Sequence, residues 1–371
     1  MADYEQRVAS LVDEGNEVDL ARHIIDFDPR SPGHYLFAAA PASAEADALA
    51  TDMHPDAIPW PADLAPTPQT MHPAPSPDDP LPHADALVMT YTVAEGYALA
   101  DVLTPGSDTK EWTPYKNGWP AIRALIEGDR APSLVSQRAG LWHTTKIGDK
   151  NVVAFKSDLH PATDGAKLPL KTLWKQLIAQ VQPKLVITTG TAGGVQGSTL
   201  LGDVIVGHDV RWDCTKTFAS APFAHAKYAS SFKASTNKLD LAQTKLMPAN
   251  ADHFKMDQNR GPVIWRDTSR KPAHVITTDF FAFDDAADHY GLRAYDSKAR
   301  AVEMDDAALA LACSEMDAPP DWISVRNASD PQMTGGNLAE ETKQAGAIYE
   351  KYGYWTSIGS AVTCWALIAG L

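Results

Sequence analysis

Three carboxylates crowd a short stretch of this sequence at the start of an apolar run. Glu303, Asp305 and Asp306 occupy three of four consecutive positions, and Met304 interrupts them. Acidic residues are favoured in the first turn of any helix, because they interact well with the helix dipole. The same arrangement also suits a site in which carboxylates accept hydrogen bonds from neighbouring sugar hydroxyls while a thioether packs on the sugar ring.

A second group of polar residues follows a late apolar run. In the segment WISVRNASDPQ, Arg326, Ser329 and Asp330 stand at the end of a predicted strand. Ligands of open α/β sheets bind at the carboxyl ends of strands, so these side chains are candidate ligand contacts. The alternative is an Asp-Pro turn with a helix-capping role.

A glycine-containing segment, LVITTGTAGG, lies earlier in the chain. We expect a buried strand that ends in a turn, where Gly190, Gly193 and Gly194 let the backbone bend sharply and approach a ligand closely. The pattern matches neither GxGxxG nor the GxxxxGK loop of triphosphate-binding proteins. Neither a dinucleotide site nor a triphosphate site is therefore indicated.

The elements that must position these residues alternate between strands and helices from residue 85 onward. This alternation predicts an α/β fold in which helices flank a mixed, mainly parallel central sheet. Strands are predicted at 84–92, 140–143, 151–155, 184–189, 203–208, 274–278 and 322–326. Helices are predicted at 93–103, 169–181, 302–316 and 339–368, the last with a candidate break at Gly353.

Residues 1–84 are predicted to form an extension ahead of the main domain at 85–371. The extension begins with a helix expected near residues 4–12 and is rich in proline over 55–84. Proline fixes φ and removes a donor, so irregular chain is expected there, held to the body by Trp60. The sequence leaves open whether this segment is loosely packed, wraps the body or joins copies of the chain.

Composition excludes several classes of protein. The 371 residues carry a formal net charge of −15, which disfavours binding to a nucleic-acid backbone. The three cysteines are far apart and indicate neither a disulfide framework nor a zinc site, so a cytoplasmic location is expected. The 12 histidines show no metal-ligand spacing such as HExxH, so a metal mechanism finds no support.

Neither end of the chain indicates a membrane protein. The first residues lack the basic and apolar regions of a signal peptide. The most apolar stretch, 357–371, is shorter than the roughly 20 residues of a membrane span, so we expect a buried helix.

Residues 209–273 are predicted to be irregular, and they either cover the site or form a surface excursion.

Taken in order, the motif segments resemble those of the purine nucleoside phosphorylase and methylthioadenosine/S-adenosylhomocysteine nucleosidase superfamily. Its members carry GxAGG followed by GD, a VEME-type segment and R-x-x-S-D; here these stand as GTAGG with GD, VEMD and RNASD. The resemblance covers roughly 85–371. It implies a nucleoside-phosphorylase-like three-layer fold, assembly into a homo-oligomer, and cleavage of the N-glycosidic bond of a purine nucleoside without a cofactor.

The resemblance also implies a role for each matching residue. Asp330, held by Ser329, corresponds to the acid that protonates or hydrogen-bonds N7 of the leaving purine. Met304 corresponds to the residue that lies under the ribose. Glu303 and Asp305 correspond to the acids that bind the ribose hydroxyls. An aspartate stands at 305 where nucleosidases have glutamate, and this shorter side chain puts the sugar contact in doubt.

Two further residues complete the predicted site. Phe281, in the segment TTDFFAFD, aligns with an aromatic residue that stacks on the base, with Phe280 as the alternative. Glu95, after the first strand, stands where nucleosidases keep the base that activates water. Glycosidic cleavage passes through an oxocarbenium-like transition state, so Asp330 needs a raised pKa to donate its proton at neutral pH.

The nucleophile is either water or inorganic phosphate. Phosphorylases place arginines after the first strand, whereas here none occurs before Arg123 in that region, and the middle segment offers Lys156, Ser157 and His160. Hydrolysis of an adenosine-type nucleoside, with or without a modified 5′ position, is therefore favoured. Phosphorolysis, with those three residues binding phosphate as co-substrate, is the alternative. A protein that binds a nucleoside without cleaving it is the second alternative.

Overall fold

Strand β6 (Leu185–Gly194) forms the centre of the fold. The computed structural model describes residues 6, 9, 12, 17–37, 53–254, 260–266 and 272–371. The apolar run that opens β6 is buried, as is usual for a parallel strand with helices on both faces. It pairs in parallel with β2 (Ala86–Thr90) and β13 (Asp321–Asp330) and, at its last residues, antiparallel with β12 (Ala299–Glu303).

The other strands extend this sheet to both sides. They are β1 (Thr67–Gln69), β3 (Thr113–Tyr115), β4 (Gly140–Ile147), β5 (Lys150–Ser157), β7 (Val204–Gly207), β8 (Asp209–Asp213), β9 (Lys227–Ala229), β10 (Ile264–Arg266) and β11 (His274–Thr278). The order is β1-β4-β5-β2-β6-β12-β11-β8-β9, with β3 beside β4, β13 beside β6, and β7 between β13 and β10. Pairing is parallel for β5-β2-β6-β13 and β12-β11-β8 and antiparallel at β1, β3, β4 and β9.

Helices cover both faces of the sheet, which confirms the predicted α/β class. They are α1 (Glu17–Asp26), α2 (Val93–Leu103), α3 (Trp119–Arg123), α4 (Pro132–Ser136), α5 (Pro161–Asp164), α6 (Pro169–Val181), α7 (Thr236–Leu241), α8 (Leu292–Tyr295), α9 (Asp306–Ser314) and α10 (Leu338–Ile368). Alternate residues of β2 face opposite layers. Val88 packs on the side of α2 and α10, whereas Leu87 and Met89 pack on the side of α6 and α9.

The helix predicted over 302–316 is wrong at its start. Residues 299–303 form β12, and α9 begins only at Asp306. The partners of β12 are β11 and β6, which lie elsewhere in the sequence, so local periodicity does not reveal this strand. The last helix runs unbroken through Gly353, where a Cβ would lie 3.0 Å from the ring of Tyr349.

The N-terminal part of the chain contacts the body at several places. Trp60 packs on Trp365 with ring centroids 4.9 Å apart, as the sequence predicts. Between residues 53 and 85 only β1 is regular. The helix expected near residues 4–12 falls on a segment of which the structure describes only residues 6, 9 and 12, and the division of the chain at residue 84 stays a prediction.

None of the helices in the described ranges combines the length and apolar character that a bilayer span requires. The longest, α10, is buried along most of its length against β13, α2 and α7. Its buried residues after Ser357 are the apolar stretch that the sequence places in a terminal helix.

Glu350 of α10 forms hydrogen bonds with residues 36–37, which follow α1. Its carboxylate is 1% exposed and accepts hydrogen bonds from the backbone amides of Leu36 and Phe37 at 2.8 and 2.6 Å. His23 of α1 lies 2.7 Å from the same group. Three groups of one segment thus depend on a single buried carboxylate.

We expect Glu350→Gln to loosen residues 17–37 because the amide nitrogen cannot accept one of these hydrogen bonds. Hydrogen bonds to charged groups contribute about 1.5–3 kcal/mol, and the free energy of unfolding should fall by that amount. Urea denaturation and limited proteolysis measure the effect, with Glu340→Gln on the exposed face of the same helix as the control. Equal stability and equal cleavage near α1 in both variants would contradict this role.

Candidate active site

A pocket opens where β6 leaves β2. The two strands pair only as far as Thr188 of β6, whereas Gly193 and Gly194 pair with β12. This fork and the carboxyl ends of β11, β12 and β13 surround a partly open pocket, whose empty space together with the adjoining solvent amounts to about 710 Å³. Ligands of α/β sheets bind at such a divergence of strands.

The structure brings most of the predicted site residues into this pocket. It is lined by Ala21, Ile24, Ile25, Thr92, Glu95, His160, Thr191, Ala192, Gly193, Phe281, Ala282, Val302, Glu303, Met304, Asp305, Arg326, Ser329, Asp330, Ala345 and Tyr349. Gly194, Lys156 and Ser157 lie outside the lining. Among the described residues of 209–273, none lines the pocket either, so the described part of that stretch does not cover the site.

Asp330 reaches the pocket through a β-bulge in β13. Ala328 pairs with Ala192 and Asp330 with Gly193, so Ser329 is an extra residue in the strand. Both Ser329 and Asp330 line the pocket, and Ser329 Oγ donates to Asp330 Oδ1 over 2.9 Å. Burial raises the pKa of Asp330 to about 7, against the opposing effect of this hydrogen bond. Near neutral pH, Asp330 can therefore carry a proton and donate it.

The glycines of β6 make room for the side chains of Asp330 and Glu95, but they do not turn the chain. The turn predicted at GTAGG is wrong, because 185–194 is one extended strand that pairs with its neighbours through Gly194. The predicted close approach to a ligand stays a prediction, whereas two of these glycines lie against side chains of the pocket. A Cβ on Gly193 would lie 3.2 Å from Asp330 Oδ2, and one on Gly190 would lie 2.8 Å from Glu95 Oε1.

Glu95 is held as a carboxylate by five hydrogen bonds. Its Oε2 accepts from a hydroxyl and two backbone amides of residues 90–92, and its Oε1 accepts from the amide and hydroxyl of Thr191 at 2.8 and 2.7 Å. Burial works to raise its pKa, but the attraction of Arg326 and these hydrogen bonds outweigh burial and lower the pKa. The same carboxylate completes a capping box with Thr92 at the start of α2.

The guanidinium of Arg326 lies buried among the three clustered carboxylates. It donates hydrogen bonds to Asp305 and Asp306 and lies 3.4 Å from Glu303. Glu303 itself caps α9, because its Oε2 accepts from the amides of Asp305 and Asp306 at 2.5 and 2.8 Å, and Thr277 donates to its Oε1. Glu303 therefore caps the helix, as the helix-start interpretation allows, and Glu303 and Asp305 also line the pocket, while the predicted binding of sugar hydroxyls stays a prediction.

Glu303 and Asp305 hold protons more tightly than isolated carboxylates do. Burial and the charge of Asp306 raise the pKa of Glu303 to about 7, with Arg326 opposing them. Burial also raises the pKa of Asp305, against the attraction of Arg326 and with the repulsion of its acidic neighbours.

Phe281 and Met304 give the pocket apolar surface. Phe280 is buried instead beside Tyr290, with ring centroids 5.9 Å apart and planes 29° apart. Of the two phenylalanines, Phe281 is thus the one whose ring can stack on a flat ligand.

The three residues predicted for a phosphate or water site are separated in the structure. Lys156 Nζ lies 2.8 Å from Asp158 Oδ1, and Ser157 hydrogen-bonds to the local backbone. Only His160 lines the pocket, and burial lowers its pKa to about 4, so its ring is neutral at pH 7. Its Nδ1 accepts from a backbone amide, which assigns the proton to Nε2, 3.8 Å from Asp305 Oδ2.

Sequence reasoning missed the apolar wall that α1 supplies. Ala21, Ile24 and Ile25 line the pocket from within the segment assigned to the extension. Tyr349 of α10 lies beside them, with its Oη 3.2 Å from the carbonyl oxygen of Ile24. Apolar residues at Leu20, Ile24 and their neighbours recur at helical spacing, a signal that reveals a buried face but not what that face covers.

Comparison with known proteins gives one family match and several structural neighbours. The model of the phosphorylase superfamily matches residues 122–352, which is more than half of the chain. The methylthioadenosine/S-adenosylhomocysteine nucleosidase of Neisseria meningitidis is 16% identical, with a TM-score of 0.46 over 77% of this chain and 100% of that one. The Helicobacter pylori nucleosidase is 14% identical (TM-score 0.49; 78% and 99% covered), and the futalosine hydrolase of the same species is 13% identical (TM-score 0.48; 77% and 97% covered).

The raised pKa of Asp330 predicts a pH dependence of stability. Because the folded protein binds this proton more tightly than a free aspartate with its ordinary pKa of 3.8, the stabilisation is complete below about pH 4 and is lost as the pH rises through 7. Asparagine does not titrate, so the Tm of Asp330→Asn relative to the wild type should increase between pH 5 and pH 8. Thermal melts at both pH values test this, with Asp321→Asn at the exposed start of β13 as the control. A Tm difference that does not change with pH would contradict the assignment.

Proposed function

We propose, on the premise that this chain belongs to the phosphorylase superfamily, that it hydrolyses the N-glycosidic bond of a purine nucleoside. The family model confirms the family that the ordered motifs predict. The observation that carries the proposal is a pair of carboxyl groups in one pocket whose surroundings move their pKa values apart, upward for Asp330 and downward for Glu95. Such a pair supplies an acid and a base at the same pH.

Asp330 acts as the acid in this reaction. Purine is a poor leaving group as an anion, and a proton delivered to N7 lets it depart neutral. Ser329 orients the carboxyl group, and Gly193 lets its other oxygen approach the pocket without a Cβ in the way. Phe281 offers a ring against which the base can stack.

The oxygens of Glu95, Glu303 and Asp305 stabilise the developing sugar cation. Glu95 is ionised, and the guanidinium of Arg326 is already paired with Asp305 and Asp306, so the pocket presents negative and partially negative oxygens rather than a free positive charge. An oxocarbenium-like transition state is favoured in such a field. Asp305 and the neutral His160 face each other across 3.8 Å and offer an acceptor and a donor for ribose hydroxyls, while Met304 packs on the ring.

Water, rather than phosphate, is the proposed nucleophile. A phosphate dianion requires cationic or numerous free donors, whereas Arg326 is already surrounded by carboxylates, Lys156 is paired with Asp158, and His160 is neutral. Glu95 accepts a hydrogen bond from the Thr191 hydroxyl at the pocket wall, and a water molecule can take the place of that hydroxyl. Its low pKa is compatible with the reaction, because attack on a sugar cation requires only a weak base.

The apolar wall of α1 supports an adenosine-type substrate with an uncharged 5′ substituent. Ala21, Ile24 and Ile25 offer no polar side chain to bind a charged group, and burial of each apolar surface contributes about 25 cal/mol per Å². Methylthioadenosine fits this description, and it gives its name to the nucleosidases among the structural neighbours. Assembly with further copies of the chain is also proposed, on the family resemblance alone.

We expect the protein to release free base from purine nucleosides without added phosphate. Chromatography of reactions with adenosine, inosine, guanosine, methylthioadenosine and S-adenosylhomocysteine, each with and without phosphate, measures this. Free sugar in both conditions supports hydrolysis, and methylthioadenosine, whose 5′ substituent is uncharged, should have the lowest KM. Release only with phosphate, giving a sugar 1-phosphate, would replace hydrolysis by phosphorolysis. Binding of nucleosides without any release would identify a protein that binds but does not cleave.

Asp330→Asn and Glu95→Gln should each lower kcat by about 10²- to 10⁴-fold, the usual contribution of a general acid or base. For the wild type, kcat/KM should fall as the pH rises through about 7, because Asp330 loses the proton it must donate. Asp321→Asn and Glu111→Gln, both exposed, are the matched controls. Folded Asp330→Asn protein with a near-normal rate would remove Asp330 from the mechanism, and an unchanged Glu95→Gln rate would assign the base elsewhere.

A further inference from the structure

A second cluster of ligand-type side chains lies outside the pocket. Asp285 and His289 follow β11, and Glu341 lies in the first turn of α10. One ligand atom of each lies within 4.8 Å of the others, and Asp285 Oδ2 is 3.0 Å from His289 Nδ1. Asp285 and Glu341 are buried, whereas the His289 side chain is 52% exposed, so the cluster is open to solvent on one side.

Glu341 carries a polar atom that the fold leaves without a partner. Its residue is only 3% exposed, its Oε1 accepts from the amide of Gly335 at 2.9 Å, and its buried Oε2 has no hydrogen-bond partner among the described residues. A buried carboxylate oxygen without a partner is costly, so native structures nearly always satisfy it. Because the Glu341 carboxylate lies beside Asp285 and His289, its oxygen without a partner indicates that a ligand binds at this position.

Among the described residues, the cluster of Asp285, His289 and Glu341 differs in its charge balance from the acidic cluster that lines the pocket. At Glu303, Asp305 and Asp306 the guanidinium of Arg326 supplies positive charge. Among the residues that the structure describes, no lysine or arginine forms an ion pair with Asp285 or Glu341. The nearby Arg293 pairs with Asp284 instead.

We propose that Asp285, His289 and Glu341 bind a divalent first-row transition cation of the Zn²⁺ type. Two carboxylates and one imidazole form a donor set of mixed oxygen and nitrogen, which suits Zn²⁺ better than Mg²⁺ or Ca²⁺, since these prefer oxygen ligands alone. The two carboxylates neutralise the charge of the cation. The exposed imidazole can turn from Asp285 toward the ion, and solvent water can complete the coordination on the open side.

Such an ion joins two segments that reach the active-site pocket. The loop after β11 carries Phe281 four residues before Asp285, and α10 carries Ala345 one turn after Glu341. The loop after β11 is already bonded to the segment that precedes α10, because the amide of Ala286 donates to the carbonyl oxygen of Met333. The cation adds a side-chain crosslink beside that bridge, and its role is structural and independent of the proposed hydrolysis.

Titration calorimetry on the full chain, first treated with a chelator, tests the site with Zn²⁺, Mn²⁺ and Mg²⁺ salts. We expect one Zn²⁺ per chain, weaker Mn²⁺ and no Mg²⁺ binding, and a Tm that rises with Zn²⁺ concentration. Glu341→Gln and His289→Gln should each weaken Zn²⁺ binding at least about tenfold, because even the loss of an outer-shell partner has that effect. Glu340→Gln and His225→Gln, both exposed, should bind as the wild type does.

Three results would overturn the site. They are no Zn²⁺ uptake by the wild type, wild-type affinity in both Glu341→Gln and His289→Gln, and loss of binding in Asp305→Asn but not in Glu341→Gln. His289→Gln keeps the test valid if Glu341→Gln fails to fold, because the His289 side chain is half exposed and its replacement leaves the core intact. Calorimetry and melting do not depend on turnover, so failure of this proposal and failure of the proposed hydrolysis are distinguishable.

Discussion

The buried guanidinium of Arg326 connects the elements that meet at the pocket. It extends from β13, donates from Nε to Asp306 of α9 at 3.0 Å, and lies 3.3 Å from the carbonyl oxygen of Thr191 in β6. Its planar set of five donors can serve several acceptors at once, which the point charge of a lysine cannot do. Without this cation, the acidic cluster would be a group of uncompensated buried charges, which is strongly destabilising.

The position of this one cation also separates the pKa values of the two carboxyl groups that we propose as acid and base. Arg326 lowers the pKa of Glu95, whereas the pKa of Asp330 is set by burial and by Ser329 alone. The two groups lie in the same pocket, yet one remains ionised while the other retains a proton near neutrality. The two buried carboxyl groups thus differ in protonation because Arg326 and five hydrogen bonds stabilise the charge of Glu95, whereas only Ser329 does so for Asp330.

Much of the fold and of the candidate site is predictable from local signals. Helix α6 begins and ends at the predicted residues. The R-x-x-S-D segment predicts Asp330 as a ligand contact, and Asp330 lines the pocket. What the sequence did not reveal depends on contacts between distant residues. Strand β12 exists because β11 and β6 flank it, and α1 reaches the pocket because its segment is tied to Glu350, more than 300 residues away. Periodicity within a short window contains no record of such partners.

Because of the bulge at Ser329, the geometry of the site depends on the number of residues between Arg326 and Asp330. In a regular strand, neighbouring side chains face opposite sides of the sheet, and the Ser329–Asp330 hydrogen bond within the pocket would not form. Deletion of one residue between Arg326 and Asp330 would restore regular pairing and break this arrangement, even though every residue type needed for chemistry remained. Insertions and deletions here are therefore more damaging than most substitutions, and relatives that keep the chemistry should be aligned across these five positions without gaps.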